Sequence, residues 1–384
     1  MSGLRVGIVG LGWMGQVHAR ALRRLGQHYP ELGEAPELVA FADTVTDERV
    51  AGLGRAYGFT RQHTDWRGLV TSPDIDLVSV TGPNFIHRDV AVAAAEAGKH
   101  IWIEKPAGRT AEETREIADA VRTARVHTAA GFNYRNAPAV EHARALVAAG
   151  RLGAVTNVEV TLFADYSAHP DQALSWRFVN RWAGSGVRGD LVSHGVDLAR
   201  YVVGEITEVI CDEATFIPTR PQLTAGGVSH FSRGEGEHAP VENEDYVAAL
   251  LRFAGGARGV LQSSRTSVGD QCTYGFTVHG ERGALSWDFR RMGELQLCVD
   301  QDYQNASYAT WLAVPGAGEL ARFQPAAGVA MSYDDLKVIE AYRLVSSIRT
   351  GVPSGATIED ALIAARLVDA MAESARERRW VTLG

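Results

Sequence analysis

A lysine that could take part in catalysis ends an apolar run in the stretch IWIEKPAG, residues 101–108. The run is typical of a buried strand, and it ends in Glu104, Lys105 and Pro106. Proline has no backbone N–H group and therefore suits the end of a strand. An ammonium group at such an end can donate hydrogen bonds to a ligand oxygen, so Lys105 is the first candidate for a catalytic group.

A second set of candidate groups lies in GSGVRGDLVSHGVDLARYVVG, residues 184–204. Asp190 and His194 are four residues apart, so on a helix they share one face, which Asp197 continues. A histidine titrates near neutral pH and can accept the proton of an alcohol. The three side chains could instead bind a divalent metal, but no nearby cysteine or second histidine completes such a site, and we predict none.

A glycine-rich turn near the start of the chain, in VGIVGLGWMGQVHAR, predicts a dinucleotide site. Gly10, Gly12 and Gly15 have G-x-G-x-x-G spacing between a predicted strand and a predicted helix. The first glycine permits a tight turn, the second lets the backbone approach a pyrophosphate, and the third allows close packing of helix on strand. The N-terminus of the helix attracts the anion.

An acidic residue follows the second predicted strand, where ELVAFAD ends at Asp43. A carboxylate at this position can accept hydrogen bonds from both hydroxyls of a ribose and would repel a 2′-phosphate. No arginine directly follows Asp43, although Arg49 lies six residues further on. The sequence therefore favours NAD over NADP.

These groups need a scaffold, and the pattern of residues 1–130 predicts a Rossmann domain. The apolar runs LRVGIVG, ELVAFAD, IDLVSVTG and HIWIEKP alternate with segments of helical periodicity, which is typical of a parallel α/β sheet. Ligands of such sheets bind beyond the carboxyl ends of the strands, and IEKP lies at one such end.

Residues 131–384 are predicted to form a second, α+β domain with a large, mostly antiparallel sheet. Long alternating runs such as AVTNVEVTLFAD and CTYGFTVHGERGALSWDF carry this signal. A polar, glycine-rich stretch over 219–243 predicts a long loop, and two helices are predicted over 334–349 and 358–378. A length of 384 residues also exceeds what one hydrophobic core usually supports.

Composition narrows the possible partners to small molecules. The chain is 46% apolar and 22% charged, with a formal net charge of -8, and it has neither a basic tract nor an apolar run long enough to span a membrane. We therefore expect no nucleic acid and no membrane as partner. Three widely spaced cysteines predict no disulfide framework, and the absence of a signal-type segment favours the cytoplasm.

The motifs together resemble the Gfo/Idh/MocA family of oxidoreductases, over nearly the whole chain. The resemblance rests on VGIVGLGWMG, on VTGPNFIHRDVAVAAAEAGKHIWIEKP, on GFNYRNAPAV and on the segment over 184–204. A further stretch, GFTVHGERGALSWDFRRMGELQL, resembles a branch with levoglucosan dehydrogenase and other pyranoside dehydrogenases. The resemblance implies an NAD-dependent dehydrogenase that transfers a hydride between a secondary alcohol of a sugar, sugar derivative or cyclitol and the nicotinamide.

The resemblance also implies roles for particular residues. Lys105 is implied as the active-site lysine, often followed by a cis bond to Pro106, with Asp190 and His194 beside it. Either Lys105 or His194 is the formal acid or base, and the sequence does not separate them. The expected cofactor contacts are Gly10, Gly12, Trp13, Met14, Gly15, Asp43, Thr81, Pro83, Asn84, His87, Glu104 and Lys105.

The expected substrate contacts combine the catalytic set with aromatic and planar donors. Aromatic faces and guanidinium groups suit pyranose rings, although the same side chains are equally suited to packing or to surface ion pairs. The sequence departs from the family pattern at Ser185, Arg188, Gly189 and Val192, beside the catalytic helix. The expected contacts are Lys105, Tyr134, Arg135, Trp176, Asp190 and His194.

Two other functions are compatible with these motifs. One is a glycoside hydrolase that oxidises its substrate transiently with a retained NAD, and the other is a non-catalytic nucleotide-binding sugar sensor. The sensor is the main alternative from another class, although its catalytic positions would normally be eroded, whereas Lys105, Asp190 and His194 are present. The exposed face expected of the large sheet predicts a homodimer or a homotetramer.

Overall fold

A computed structural model describes residues 3–223 and 232–383 of the chain. Seventeen strands lie within these residues, and their bounds follow. They are β1 (Arg5–Val9), β2 (Glu37–Ala42), β3 (Arg61–His63), β4 (Leu77–Val80), β5 (His100–Ile103), β6 (Thr128–Ala130), β7 (Val155–Phe163), β8 (Ile206–Ala214), β9 (Thr219–Pro221), β10 (His238–Pro240), β11 (Tyr246–Phe253), β12 (Arg258–Ser264), β13 (Thr273–Gly280), β14 (Gly283–Asp288), β15 (Glu294–Val299), β16 (Ala309–Leu312) and β17 (Val381–Thr382).

Ten α-helices lie within the same described residues, together with short 3₁₀ turns and one π-helical turn over Arg188–Val192. The α-helices are α1 (Trp13–His28), α2 (Glu48–Tyr57), α3 (Trp66–Val70), α4 (Asn84–Glu96), α5 (Ala111–Ala124), α6 (Pro138–Ala148), α7 (Asn180–Ala183), α8 (Ser193–Val203), α9 (Tyr333–Thr350) and α10 (Ile358–Glu377).

The first compact unit comprises Met1–Asn136 and Met331–Ile363. Its sheet has six parallel strands in the order β3-β2-β1-β4-β5-β6. This is the strand order of the Rossmann fold, so the predicted Rossmann domain with a parallel sheet is confirmed. Its central strands β1, β4 and β5 are almost wholly buried, which explains their continuous apolar runs.

The second compact unit comprises Ala137–Ala330 and Ala364–Gly384. Its nine-stranded sheet has the order β16-β15-β14-β13-β7-β12-β11-β8-β17, and only the pairing of β12 with β7 is parallel. The prediction of a large, mostly antiparallel sheet is confirmed. Helix α8 lies close against one face, because a Cβ atom at Gly195 would be 2.5 Å from Leu162 and 3.0 Å from Leu261.

The two units differ from the contiguous division at residue 130 that the sequence predicted. Helix α9 packs along α1, the helix that follows β1 of the Rossmann sheet. The segment Met331–Ile363 therefore belongs to the first unit. Apolar periodicity predicted this helix correctly, but it gave no information about which sheet the helix would cover.

The stretch over 219–243, predicted as a long loop, contains regular structure at both ends. Strands β9 and β10 form an antiparallel ribbon in which Thr219 pairs with Pro240. The loop prediction was wrong for these strands, and its central part, residues 224–231, lies outside the described residues. Among the residues described, no helix combines the length and apolar composition that a membrane span requires.

Candidate active site

The glycine turn joins β1 to α1 in a conformation that depends on its glycines. Gly10 has a φ of 91°, in the left-handed region that favours glycine. A Cβ atom at Gly15 would lie 2.0 Å from the carbonyl oxygen of Gly10, so only glycine allows the helix to approach the strand so closely. No atom of the described residues lies within 4 Å of a Cβ placed on Gly12, which is the N-cap of α1.

Asp43 and Thr81 hold this turn from the ends of β2 and β4, the strands on either side of β1. The Asp43 carboxylate accepts hydrogen bonds from the backbone N–H groups of Leu11 and Val45, both at 2.9 Å. The Thr81 hydroxyl donates to the carbonyl oxygen of Gly10 at 2.7 Å. The turn, its helix N-terminus and Asp43 therefore form one connected cradle, in which Gly12 faces open space. The arrangement fits a dinucleotide with its pyrophosphate at Gly12 and its ribose near Asp43.

Two side chains project from the start of α1 beside this cradle. Trp13 is 66% exposed, and its ring stacks on Tyr333 with centroids 5.7 Å apart. The sulfur of Met14 accepts the Tyr333 hydroxyl at 3.8 Å. Tyr333 opens α9, so the returning segment contributes to the surroundings of the cradle, a contribution for which the motifs gave no signal.

The segment after β4 supplies Pro83, Asn84 and His87, all predicted to contact the cofactor. Pro83 caps α4 and Asn84 is its first residue. His87 is buried, with Nε2 2.8 Å from the carbonyl oxygen of Gly82 and Nδ1 2.9 Å from that of Pro106. Burial lowers the pKa of His87, while its two ring nitrogens face carbonyl oxygens of two backbone segments. Its described contacts are to the protein backbone, and its predicted contact with a cofactor stays a prediction.

Lys105 and Pro106 follow β5 at the carboxyl edge of the sheet. The peptide bond between them is cis, as the resemblance implied. Lys105 is half-buried, and its backbone N–H donates to Oε2 of Glu104 at 3.3 Å. Two side chains therefore contact the backbone at this strand end: His87 at the carbonyl oxygen of Pro106 and Glu104 at the N–H of Lys105.

Glu104 points into the interior of the unit, and its predicted contact with the cofactor stays a prediction. Its Oε1 lies 2.5 Å from Nζ of Lys337 and 3.0 Å from Nε2 of His18. Lys337 also donates to Glu340 at 2.9 Å, and the indole N–H of Trp102 donates to the same carboxylate at 2.7 Å. We call these five residues, His18, Trp102, Glu104, Lys337 and Glu340, the buried charge cluster.

The cluster has the ligand types of a metal site but already contains a cation. His18, Glu104 and Glu340 offer ligand atoms within 4.8 Å of one another. The Lys337 ammonium bonds to both carboxylates, where it supplies the positive charge that a metal ion would bring. Burial alone would raise the pKa of Glu104, but Lys337 and His18 hold it well below its ordinary range.

Tyr134 and Arg135, predicted to contact substrate, are buried side chains of the first unit. The guanidinium of Arg135 pairs with Asp360 at 3.0 Å, and the ring of Tyr134 meets that of Tyr333 edge-on at 6.5 Å. Arg135 therefore forms an ion pair, which the sequence analysis gave as an alternative to substrate binding. Its predicted substrate contact stays a prediction. Neither the ion pair nor the ring contact has a signal in the local sequence.

Asp190, His194 and Asp197 lie in the second unit, at the start of α8. The expected regular helix is interrupted here, because Asp190 belongs to a π-helical turn that runs directly into α8. Asp190 is half-buried, whereas His194 and Asp197 are 5% and 1% exposed. π-Helical turns frequently occur at functional sites, so the interruption agrees with the candidate role of this segment.

Tyr166 is a neighbour of Asp190 that the motifs did not predict. Its hydroxyl donates to Oδ2 of Asp190 at 2.5 Å. Burial and the negative charge of Asp190 raise the pKa of Tyr166 well above its ordinary value, so the phenol stays protonated and keeps donating. A tyrosine after β7, 24 positions before Asp190, has no recognisable spacing to it, and only the fold shows the pair.

Local contacts account for the departures from the family pattern at Ser185 and Arg188. The Ser185 hydroxyl accepts a hydrogen bond from the N–H of Gly189 at 3.0 Å, which supports the π-helical turn. Arg188 turns toward Glu213 and Glu244, with ion pairs of 3.0 and 3.3 Å. Trp176, another predicted substrate contact, is half-buried with the guanidinium of Arg177 4.5 Å from its ring centroid.

Two family descriptions match the chain. Residues 4–132 match "Oxidoreductase family, NAD-binding Rossmann fold" and residues 140–286 match "GFO/IDH/MocA C-terminal domain". The chain is 34% identical to levoglucosan dehydrogenase of Pseudarthrobacter phenanthrenivorans over 99% of this chain and 98% of that protein. It is 26% identical to inositol 2-dehydrogenase of Rhizobium meliloti, with 99% of each chain covered.

Solved structures agree with these sequence matches. A levoglucosan dehydrogenase in complex with NADH and L-sorbose superposes with a TM-score of 0.92 at 33% identity, and the whole of each chain is covered. An oxidoreductase domain protein from Kribbella flavida gives a TM-score of 0.92 at 31% identity, again over the whole of each chain.

Proposed function

The chain belongs to the Gfo/Idh/MocA family of NAD-binding oxidoreductases, and from this premise we propose that it oxidises a secondary alcohol of a pyranose, anhydrosugar or cyclitol. The predicted family, the Rossmann fold, the dehydrogenase class and NAD as cofactor are confirmed. The observation that carries the substrate class is the full-length likeness to a dehydrogenase solved with NADH and a sugar.

The cradle of the first unit supplies the groups that would hold NAD. Gly12 leaves room for the pyrophosphate at the N-terminus of α1, and Asp43 would accept hydrogen bonds from the ribose hydroxyls. Gly10 and Gly15 keep the turn in place, and Trp13 lies beside it. When bound, NAD supplies the hydride acceptor of the reaction.

The remaining chemistry is assigned to three side chains. One group must accept the hydroxyl proton, and another must donate a hydrogen bond to the oxygen as it becomes a carbonyl. We assign proton acceptance to His194 and hydrogen bonding to Lys105, with the reverse assignment as the alternative. Asp190 accepts from a neighbouring hydroxyl of the substrate, while Tyr166 donates to its other side. Trp176 offers an aromatic face to the sugar ring.

A substrate screen tests the proposal. Purified protein is incubated with NAD and with pyranoses, anhydrosugars, inositols and linear polyols, while reduced nicotinamide is followed by absorbance. We expect sustained turnover with at least one cyclic polyol. Cleavage of an added glycoside without net formation of reduced nicotinamide would indicate a transient-oxidation hydrolase, because the hydride taken by the retained NAD is returned within each cycle. Cofactor binding with neither reduction nor glycoside cleavage would favour a sensor and contradict the proposal.

Cofactor choice can be tested separately, because Asp43 should repel a 2′-phosphate. Arg49, the nearest basic residue along the chain, is exposed and lies 3.8 Å from the carboxylate of Asp47. We expect NAD to bind more tightly than NADP in titrations. Asp43→Ser should reduce that preference, and equal binding of both cofactors by the parent would contradict the role of Asp43.

We also propose that the chain assembles as a homodimer or homotetramer in the cytoplasm, where free NAD is available. The nine-stranded sheet exposes apolar side chains that do not belong to the core of its unit, including Leu250 of β11 at 49% exposure. Light scattering after gel filtration tests the assembly, and a monomer at micromolar concentration would contradict it.

A further inference from the structure

We propose that Lys337 is a positioning residue for Lys105, acting through Glu104. The buried ammonium fixes the Glu104 carboxylate, and this carboxylate holds the backbone amide of the lysine that the motif places in the active site. The effect on turnover rests on the proposed dehydrogenase function, whereas the effect on local structure rests on the described contacts alone.

The first step is the contact of Lys337 with Glu104. Lys337 lies in α9 and its side chain is fully buried, with Nζ 2.5 Å from Glu104 and 2.9 Å from Glu340. The Glu104 side chain is 8% exposed and also bonds to Nε2 of His18. Three segments distant in sequence therefore converge on one carboxylate, which leaves it little freedom to rotate.

The second step runs from Glu104 to its neighbour. Oε1 of Glu104 accepts hydrogen bonds from Lys337 and His18. Oε2 of the same carboxylate accepts a hydrogen bond from the backbone N–H of Lys105 at 3.3 Å. A Cβ atom at Gly131 would lie 2.5 Å from the same oxygen, so the backbone directly after β6 lies close against the Glu104 carboxylate. A movement of the carboxylate would thus pass directly to the amide of Lys105.

The charge balance makes Lys337 necessary to this arrangement. The cluster contains two buried carboxylates and one ammonium. His18 adds no positive charge near neutral pH, because burial lowers its pKa to about 4 despite the neighbouring Glu104. Removing the ammonium would leave both carboxylates buried without a cationic partner, which is strongly unfavourable. Glu104 would then rotate, take up a proton or admit water, and each outcome changes its bond to Lys105.

The composition of the chain singles out the same residue. Of 38 lysines and arginines only three are lysines, namely Lys99, Lys105 and Lys337. A sequence that uses arginine at nearly every basic position retains lysine between Glu104 and Glu340. An ammonium is a compact point charge, whereas a guanidinium is a wide planar fork that would need more space. The site therefore requires lysine itself and not a positive charge of any shape.

The test compares Lys337→Met with Lys99→Met as the matched control. Lys99 lies at the opposite end of β5 and donates to the carbonyl of Ser72 at 3.0 Å, so it controls for the loss of a lysine near the same strand. Hydrogen exchange of peptides spanning residues 100–108 is measured first, because it needs no substrate. We expect faster exchange at the Lys105 amide in Lys337→Met and parent-like exchange there in Lys99→Met.

Turnover is measured next with a substrate from the screen. We expect kcat to fall at least about tenfold in Lys337→Met, since small displacements of a catalytic group cost one to two orders of magnitude. NAD binding should stay close to that of the parent, because the glycine cradle is unchanged. A primary deuterium isotope effect on kcat should increase as hydride transfer becomes slower relative to product release.

A second variant separates positioning from stability. Lys337→Met/Glu340→Gln removes one carboxylate together with the ammonium, so it should recover much of the thermal stability lost in the single variant. Its Glu104 still lacks the ammonium, and kcat should therefore stay low. This variant also serves as the test protein if Lys337→Met does not fold.

Two results would overturn the proposal. One is parent-like exchange at residues 100–108 in the variant without Lys337. The other is a double variant whose kcat returns to the parent value together with its stability, which would reduce Lys337 to a structural role. A parent protein without activity on any substrate would instead contradict the proposed function, and the exchange measurement would still decide the role of Lys337.

Discussion

Two carboxylates adjoin the residues assigned to catalysis, and the protein holds them in opposite ways. Glu104, next to Lys105, is buried and bonded to the Lys337 ammonium and to the His18 ring. Asp190, four residues before His194, is half-buried and accepts from the neutral hydroxyl of Tyr166. The first carboxylate is fixed by a charge from a distant helix, and the second by a neutral donor.

The difference indicates what each carboxylate can do. Glu104 has its oxygens occupied by the cluster and by the Lys105 amide, so it acts on the backbone and not on a ligand. A carboxylate accepts hydrogen bonds through both oxygens, and the Tyr166 hydroxyl bonds to Oδ2 of Asp190, so we expect the same carboxylate to accept a hydrogen bond from a substrate hydroxyl. Changes around Asp190 should therefore alter the chemistry, whereas changes around Glu104 should alter geometry and stability.

The largest effect is expected for His194→Asn, which removes the proposed proton acceptor but keeps a polar side chain of similar size. Loss of a general base costs about 10²- to 10⁴-fold in rate. The pH profile of kcat/KM should also lose its acidic limb, because the limb reflects protonation of the imidazole. A limb that persists in the variant would transfer proton acceptance to Lys105.

The next largest effect is expected for Lys105→Ala, which removes the donor to the reacting oxygen. Loss of one such donor costs about 10²- to 10³-fold in kcat. NAD titration should be nearly unchanged, and Lys99→Ala should behave as the parent does. Turnover within a few-fold of the parent would mean that the lysine of the IEKP motif has no catalytic role. Glu104 would then no longer be a carboxylate beside a catalytic residue, and its comparison with Asp190 would concern structure alone.

The sequence predicted the elements around both carboxylates, because their signals are local. The glycine turn, the strand that ends at Lys105 and helix α9 all follow from spacing or periodicity within a few turns of chain. The role of Glu104 was not predictable in this way, since its partner Lys337 is 233 positions away. Strand alternation was an available signal, because continued past the end of β5 it would place the side chains of Glu104 and Lys105 on opposite sides of the chain.

The surroundings of Asp190 depended on features without a sequence pattern. The π-helical turn over Arg188–Val192 changes which residues share a face, and a four-residue spacing alone does not reveal it. Tyr166 reaches Asp190 because the chain after β7 folds back toward the helix, a consequence of tertiary structure alone. The motif thus identified the acid and the histidine but not the donor that holds the acid.

A smaller effect, on stability, is expected from His18 in the buried charge cluster. Its folded pKa of about 4 lies below the ordinary 6.5, so the unfolded chain binds a proton first as the pH falls. Stability from this histidine is fully present above pH 6.5 and is lost on acidification toward pH 4. By linkage the loss has an upper limit on the order of 3 kcal/mol.

Denaturant unfolding between pH 6.5 and 5 measures this contribution as the difference between the parent and a His18 variant, because burial raises the pKa of Glu340 in the same cluster. The ring contacts Glu104 just after β5 and Ser79 from β4, and it lies near Lys337 and Glu340 of α9. His18→Gln should be less stable than the parent at pH 7 but should lose less stability on acidification. Parallel pH profiles for the two proteins would show that His18 is not held neutral.

The smallest effect is expected for Tyr166→Phe, which removes one hydrogen bond to Asp190 and leaves the ring in place. A hydrogen bond to a charged group contributes about 1.5 kcal/mol, so kcat/KM should fall roughly tenfold. Because the pKa of Tyr166 is raised well above its ordinary value, the phenol donates throughout the working range, and the variant should add no new inflection to the alkaline profile. Tyr303→Phe is the matched control, since that hydroxyl is exposed and bonds to a backbone carbonyl at 2.7 Å. If the Tyr166 variant matched this control, the Tyr166 hydroxyl would not be needed to hold Asp190, and the contrast with Glu104 would be one of burial and not of the donor.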